Sequence, residues 1–175
     1  IRFVKGILGA QYQNFGEMRT IGVEAEIKDD VLPWLYGYAN VTYQDLRETR
    51  EHEAGKDLPN PTKGKRMPNI PYFMSNAGLE FHKENLFGGN GQNTRFFADA
   101  SFVEEYFYDF ELTKNEKRRI PRSFSIDLGF EHSFFDQRLY ISGKIKNVAD
   151  AKMISEYNCP LPGRTLGVKL RYILR

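Results

Sequence analysis

Apolar and polar residues alternate one by one along most of this chain, the period of a β-strand that gives each kind its own face. The last segment carries the pattern furthest: Leu166, Val168, Leu170, Tyr172 and Leu174 share one face, Thr165, Gly167, Lys169 and Arg171 the other. Before it, Leu139, Ile141 and Ile145 oppose Tyr140, Ser142, Lys144 and Lys146, and Phe124, Ile126, Leu128 and Phe130 oppose Ser125, Asp127 and Glu131. Phe96, Ala98, Ala100, Phe102, Tyr106 and Tyr108 form a further apolar row, as do Phe73, Ala77, Leu79 and Phe81. Ile21, Val23, Ala25 and Ile27 form another, set against Glu24, Glu26 and Lys28. Tyrosine-rich stretches at about 1–13 and 34–46 complete an expected set of eight antiparallel strands. A helix would scatter every one of these rows around its circumference.

The connections alternate in kind. Segments 29–33, 83–93 and 133–137 carry turn formers, such as Asp29-Asp30 with Pro33 and Phe87-Gly88-Gly89-Asn90-Gly91. Segments 47–69, 109–119 and 149–163 are mostly longer and strongly polar, with Pro59, Pro61 and Pro68 in the first and Lys114 to Arg119 in the second. Short turns on one rim and long loops on the other are the asymmetry of a membrane barrel. A soluble barrel with an apolar lumen has the same alternation turned inside out. Placement along the strands favours the membrane: Ala98 and Ala100 lie at strand centres, while Phe81, Tyr106, Tyr108 and Tyr172 lie toward the ends, as in aromatic girdles flanking a lipid band.

The polar rows carry Glu24, Glu26, Lys28, Asp99, Asp127, Glu131, Lys144, Lys146, Lys169 and Arg171. An eight-stranded barrel has room inside only for packed side chains, so this many charges point to a wider, wet lumen and to a wall of which these strands are a part. Composition adds limits. The 175 residues suit one domain. Lys+Arg 25 against Asp+Glu 23 leaves a net charge of +2, too small for bulk attraction to nucleic acid. Cys159 is the single cysteine, so no internal disulfide forms. No apolar run nears the ~20 residues of a spanning helix, and no signal-peptide pattern opens the chain, which begins at Ile1. A processed or truncated piece of a longer protein is the expectation.

Several short segments carry a family pattern. Lys144-Ile145-Lys146-Asn147-Val148-Ala149-Asp150-Ala151-Lys152 resembles the stretch that closes the penultimate strand of TonB-dependent receptors, and Leu161-Pro162-Gly163-Arg164-Thr165 resembles the entry to their last strand. Gly22-Val23-Glu24-Ala25-Glu26, Trp34-Leu35 and Ile70-Pro71 are similar to the same family, in the same order across nearly the whole chain. The family usually ends in an aromatic residue, whereas this chain ends Tyr172-Ile173-Leu174-Arg175. The resemblance implies an all-β fold: an antiparallel transmembrane β-barrel, with residues 1–175 as a single segment forming the C-terminal eight strands of a barrel of about 22. It implies the outer membrane of a Gram-negative bacterium and uptake of a scarce, bulky nutrient of the iron–siderophore, haem or cobalamin class. Implied partners are outer-membrane lipid and lipopolysaccharide, the nutrient itself, and TonB through an N-terminal part. The family's plug and TonB-contacting box have no counterpart here, so energised transport is not expected of this segment alone.

Catalytic chemistry is not expected. Gly88-Gly89-Asn90-Gly91 lacks the Lys-Ser/Thr of a phosphate loop. Glu104 and Glu105 are adjacent and so point to opposite faces of a strand. His52, His82 and His132 have no metal-ligand spacing; His82 and His132, near strand ends on the same rim, are expected to be solvated. The cluster Thr62-Lys63-Gly64-Lys65-Arg66 lacks the aromatics of a nucleic-acid patch and suits a solvated loop facing lipopolysaccharide phosphates. No cofactor, metal or nucleic-acid partner is therefore expected. The candidate ligand contacts are His52, Arg66, Tyr157 and Arg164, polar or aromatic residues of the long-loop rim. Two other readings stay open: a complete small eight-stranded barrel acting as anchor or adhesin, and a soluble lipocalin-like carrier of an apolar ligand.

Overall fold

The computed structural model describes residues 2–6, 9–13, 17–53, 56–112 and 118–174, with side chains from residue 17 onward. The stretch expected as one strand over 1–13 is two, β1 (Arg2–Gly6) and β2 (Gly9–Gln13), paired antiparallel from Arg2 opposite Gln13 to Gly6 opposite Gly9. Gly6 and Gly9 bracket the reversal.

The other seven expected strands form one antiparallel sheet. They are β3 (Met18–Leu32), β4 (Leu35–Glu48), β5 (Phe73–Glu84), β6 (Asn93–Val103), β9 (Ser123–Phe134), β10 (Leu139–Lys146) and β13 (Thr165–Tyr172). Two small hairpins lie within the long connections: β7 (Tyr106–Phe107) with β8 (Arg119–Ile120), and β11 (Ile154–Glu156) with β12 (Cys159–Pro160). The sheet runs β13-β10-β9-β6-β5-β4-β3, an up-and-down meander whose two outer strands are not paired to each other.

Register decides the faces, because residues directly opposite in an antiparallel pair point the same way. Ile21, Val23, Ala25 and Ile27 face Asp45, Tyr43, Val41 and Ala39 across β3 and β4. The row continues through Ala77, Ala100 and Ile126, then through Leu128, Ile145 and Leu166, so the apolar positions of all seven strands fall on one side of the sheet. Asp29 and Asp30, read as turn formers, stay in β3 opposite Gly37 and Tyr36; the reversal comes later, at Pro33-Trp34.

The apolar face is bordered by rings at both ends. On the short-turn side, Trp34 meets Phe81 at 5.6 Å, Phe81 meets Phe96 at 6.1 Å, and Phe96 meets Phe130 at 5.0 Å. On the long-loop side, Phe73 meets Phe102 at 6.0 Å. Phe96 and Phe102, or Phe81 and Phe73, are separated along their strands by about 20–27 Å, which brackets an apolar band about 25 Å tall. Tyr106 and Tyr108, expected in a girdle, lie outside it. The chain leaves the sheet after Val103, and Tyr106 is buried in the loop rim.

Little of the sheet is a core. The buried hydrophobic residues among those described are Tyr106, Phe110 and Ile120, all in the connection between β6 and β9. Leu166 is 75% exposed, Val168 86% and Leu170 69%. Each such aliphatic side chain is worth about 1.5–3 kcal/mol when taken from water into an apolar surrounding. A face made of them is stable against lipid and not against water.

Ala98 sits at the centre of the apolar face and Ser125 on the polar one. In the full-length protein refolded into lipid vesicles, Ala98→Arg is expected to lower unfolding stability by about 2–4 kcal/mol, and Ser125→Arg by less than about 0.5 kcal/mol. Equal costs at the two positions would show that the faces have been assigned wrongly.

Candidate functional site

The polar face is a continuous hydrogen-bonding wall. Arg95 on β6 holds Glu80 on β5 through both nitrogen donors, at 2.9 and 2.7 Å, and lies 3.8 Å from Glu131 on β9. Lys144 approaches Asp127 at 3.5 Å, and Asn76 joins Asn40 at 3.0 Å while accepting from Ser101 at 2.8 Å. Arg95 with Glu80 and Lys144 with Asp127 set base beside acid across neighbouring strands. A recess of about 270 Å³ opens on this wall, lined by Tyr36, Glu80, Arg95, Phe97 and Asp99 among others.

Two rings lie flat along this wall because the residue beside each is glycine. Tyr38 crosses Gly78, where a Cβ would come within 2.3 Å of its ring, to donate to Asp99 Oδ1 at 2.9 Å. Phe97 crosses Gly129, where a Cβ would lie 2.0 Å from the ring, and meets Lys144 Nζ at 5.6 Å from its centroid. Phe97 falls on the polar side of an otherwise regular strand, a placement that hydrophobicity alone does not single out.

At the long-loop rim, the connections 49–72, 104–122 and 147–164 are tied together. Asn69 N donates to Phe107 O at 2.6 Å, and the Tyr106 hydroxyl donates to Ser155 O. Tyr108 stacks on Tyr157 at 4.6 Å. Burial pushes the Tyr106 phenol above its ordinary pKa, with the nearby Glu156 charge adding to the effect. Where the long loop returns on itself, the Lys63 ammonium holds the Glu51 carboxyl below its usual range.

The two family-like stretches prove to be one knot. Asn147, left-handed at φ 50° and buried, exchanges side-chain bonds with Ala151 at 2.8 and 2.9 Å, while its N–H donates to Asp127 Oδ1 at 2.9 Å. Asp150 Oδ1 then accepts from Arg164 N at 2.7 Å. The stretch that ends β10 thus positions the entry to β13.

The four candidate contacts all lie on the long-loop rim, but no hydrogen bond, ion pair or ring contact joins any two of them among the described residues. His52 pairs with Pro59 across its loop and lies 3.7 Å from Asp57. Arg66 donates to Asp45 at 3.0 Å and covers the Tyr72 ring at 4.0 Å. Asp45 shares its face with Ile21, so Arg66 is anchored toward the apolar side. Tyr157 is exposed on the Tyr108 ring. Arg164 is fixed through its backbone. Sequence reading missed Tyr72 and put Tyr108 in a girdle; both prove to be ring partners of candidate contacts. Part of the second loop, residues 113–117, lies outside the described residues. His82 and His132 do not form the solvated pair expected of them. His82, opposite Arg95, is on the polar face; His132 is buried on the other and bonds Thr94 Oγ1 at 2.9 Å. No group of three or more His, Cys, Asp or Glu suited to a metal occurs among the described residues.

The comparisons with known proteins point one way. The family described as TonB dependent receptor-like, beta-barrel, matches residues 3–148. Among solved structures, the chain is similar to the ferric yersiniabactin uptake receptor FyuA from Yersinia pestis. The TM-score is 0.69 at 17% sequence identity, over 89% of this chain and 23% of that one. The chain therefore spans about a quarter of that receptor's length, and the likeness is one of fold. No curated protein matches the sequence.

Two substitutions test the rim. Tyr106→Phe removes the donor to Ser155 and should cost about 0.5–1.5 kcal/mol locally, read as faster hydrogen exchange across residues 153–160. The raised phenol pKa means this contribution is complete below the unfolded tyrosine pKa and is lost as pH rises through the folded one. Asn147→Ala should cost about 1–3 kcal/mol and expose the 147–164 loop to proteases. A protease-resistant Asn147→Ala loop would remove the knot from this account.

Proposed function

This chain belongs to the TonB-dependent receptor-like β-barrel family, and on that footing we propose that it is part of the wall of a nutrient-uptake receptor. It lies in the outer membrane. In this reading residues 1–175 are a single segment of one large barrel, the C-terminal end of its wall, and the rest of the protein supplies further strands and a plug. The open sheet supports it. β3 and β13 each present an outer edge unpaired among the described residues, and unbonded backbone groups in lipid cost several kcal/mol each. Further strands remove that cost.

The substrate we propose is a scarce, bulky nutrient of the iron–siderophore, haem or cobalamin class, taken up by a Gram-negative cell. The polar wall supports this, since paired charges such as Arg95 with Glu80 suit a wide, wet lumen. TonB is the proposed energy-coupling partner, reached through the part of the protein beyond this chain. The rim loops face outward, toward lipopolysaccharide, and Lys65 suits its phosphates, whereas Lys63 and Arg66 are held by Glu51 and Asp45. Tyr157 on Tyr108 offers an aromatic platform to a ligand, with His52, Arg66 and Arg164 as further candidate contacts. We assign no catalytic role, cofactor or nucleic-acid partner to this chain.

Two rival readings fit less well. A soluble carrier would close its sheet around an apolar lumen, and the seven-stranded sheet is open among the described residues. A complete eight-stranded barrel would close residues 1–13 onto β13, and β1 and β2 instead form a separate two-stranded sheet.

The test deletes the full-length gene and follows uptake of labelled ferric siderophores, haem and cobalamin under starvation. Loss of one nutrient's uptake, reproduced by dissipating the protonmotive force, is the expected result; undiminished uptake of all three classes would sink the proposal. With the ligand in hand, Tyr157→Ala is expected to weaken its binding to the purified receptor by about tenfold, or ~1.4 kcal/mol. An unchanged affinity removes Tyr157 from the contact surface.

A further inference from the structure

Register sets two arginines side by side on the apolar side of the sheet. Arg19 of β3 lies directly opposite Arg47 of β4, in the rows that carry Ile21 and Val23 on one strand and Val41 and Tyr43 on the other. Tyr43, opposite Phe73, stands at the aromatic border of the apolar band on the long-loop side. Asp45 and Arg47 follow it in the same row, about 7 and 13 Å further along the strand. The arginine pair therefore stands just outside the band, at the depth of lipid headgroups.

Like charges directly opposite one another destabilise a strand pair, and the acid beside these two does not offset them. Asp45 is divided: one carboxylate oxygen accepts from Arg47 Nε at 2.6 Å, the other from Arg66 Nε at 3.0 Å. Arg66 is a third cation, brought here by the long loop; it bridges Arg47 through the backbone, lies on the Tyr72 ring at 4.0 Å, and follows Gly64, whose carbonyl accepts from Arg47 Nη1 at 2.9 Å. Arg47 is thus fixed in place without being neutralised. The Arg19 side chain is exposed and has no hydrogen bond or ion pair among the described residues. The cluster is net positive, and stays so when Glu17, next outward in the row of Arg19, is counted. Elsewhere on this rim the matching is closer: Arg122, just before β9, meets Glu104 at 3.4 Å.

A compact anion at headgroup depth would relieve the repulsion, and a phosphate has the oxygens to take donors from two guanidinium forks at once. We propose that Arg19 and Arg47 bind a phosphate of lipid A, the membrane-embedded base of lipopolysaccharide, whose acyl chains lie along the row of Ile21 and Val23. Long loops mark the outward rim of such barrels, and that is the leaflet lipopolysaccharide occupies. The proposal rests on the outer-membrane location, gives the lipopolysaccharide partner a place on the wall, and is independent of the nutrient carried.

The test purifies the full-length receptor in mild detergent, adds diphosphorylated lipid A, and follows its retention by native mass spectrometry under stepwise activation. One lipid A per barrel should survive after detergent is stripped. Arg19→Gln and Arg47→Gln should each lower that retention at least about tenfold in barrels that still migrate as folded in unheated gels. The Arg19 side chain ties down no loop, so its variant separates lost binding from a loosened 49–72 connection. Arg122→Gln, which removes a rim arginine already matched by an acid, should leave retention unchanged, and lipid A stripped of its phosphates should be lost as readily as from the Arg19→Gln barrel. Undiminished retention in the folded Arg19→Gln barrel would overturn the proposal. So would equal loss from the Arg122→Gln barrel, which means diffuse rim charge, equal retention of phosphatidylglycerol, which means any anionic lipid, or displacement by millimolar inorganic phosphate, which means a free ion. A receptor that imports its nutrient yet holds no lipid A loses this site and keeps the transport reading.

Discussion

Strand register is the constraint on which the rest of this structure depends. Side chains alternate with period two, so a slip of one residue between neighbours would turn a whole strand over. Glu24, Glu26 and Lys28 would enter the apolar face, while Val23 and Ala25 would line the polar one. A Lys or Arg at the bilayer midplane costs about 2–4 kcal/mol in a barrel of this kind, and an Asp or Glu less, so one slipped strand carrying three charges loses several kcal/mol, a large part of a domain's marginal stability. The devices that hold register therefore matter more than any single contact. The reversal at Pro33-Trp34, the pairing of Arg95 with Glu80, and the ties from Asn147 to Asp127 and from Asp150 to Arg164 each fix one strand against another.

The two faces are stabilised by different physics. On the apolar side the contribution is area against lipid, spread over many aliphatic side chains and bordered by rings. On the polar side it is geometry: rings laid over Gly78 and Gly129 bridge neighbouring strands, and ion pairs neutralise one another where a free charge would be exposed to the lumen. The buried hydrophobic residues sit apart from both, in the rim, where Tyr106, Phe110 and Ile120 give the loops a small core of their own.

The sheet was legible because its signal is local. Leu166, Val168 and Leu170 announce a strand and its apolar face within five residues, and seven of the expected strands take their places in the sheet. What was not legible is where pairing stops. Tyr106 and Tyr108 resume the period of Phe96 to Phe102 after Glu104, yet the chain leaves the sheet at Val103 and Tyr106 pairs instead with Ile120, in a small hairpin of the same connection. Residues 1–13, whose alternation is less clean, were expected as one strand and are two paired ones. His82 and His132 could be placed near one rim, but only the register shows that they lie on opposite faces. The candidate site was legible as a region and not as a constellation. His52, Arg66, Tyr157 and Arg164 share the rim, whereas their ring and carboxylate partners come from separate turns of the chain.

The meander order has a consequence for how such a wall comes into being. Every strand of the sheet is bonded to the strand that follows or precedes it in the sheet's own chain order, so no pairing waits for a distant segment to arrive. Loop closure costs little at these separations, since each doubling of loop length adds only about 0.6 kcal/mol. The wall can lengthen one hairpin at a time, each newly placed edge serving as the template for the next, and an error in one hairpin need not undo those already laid down.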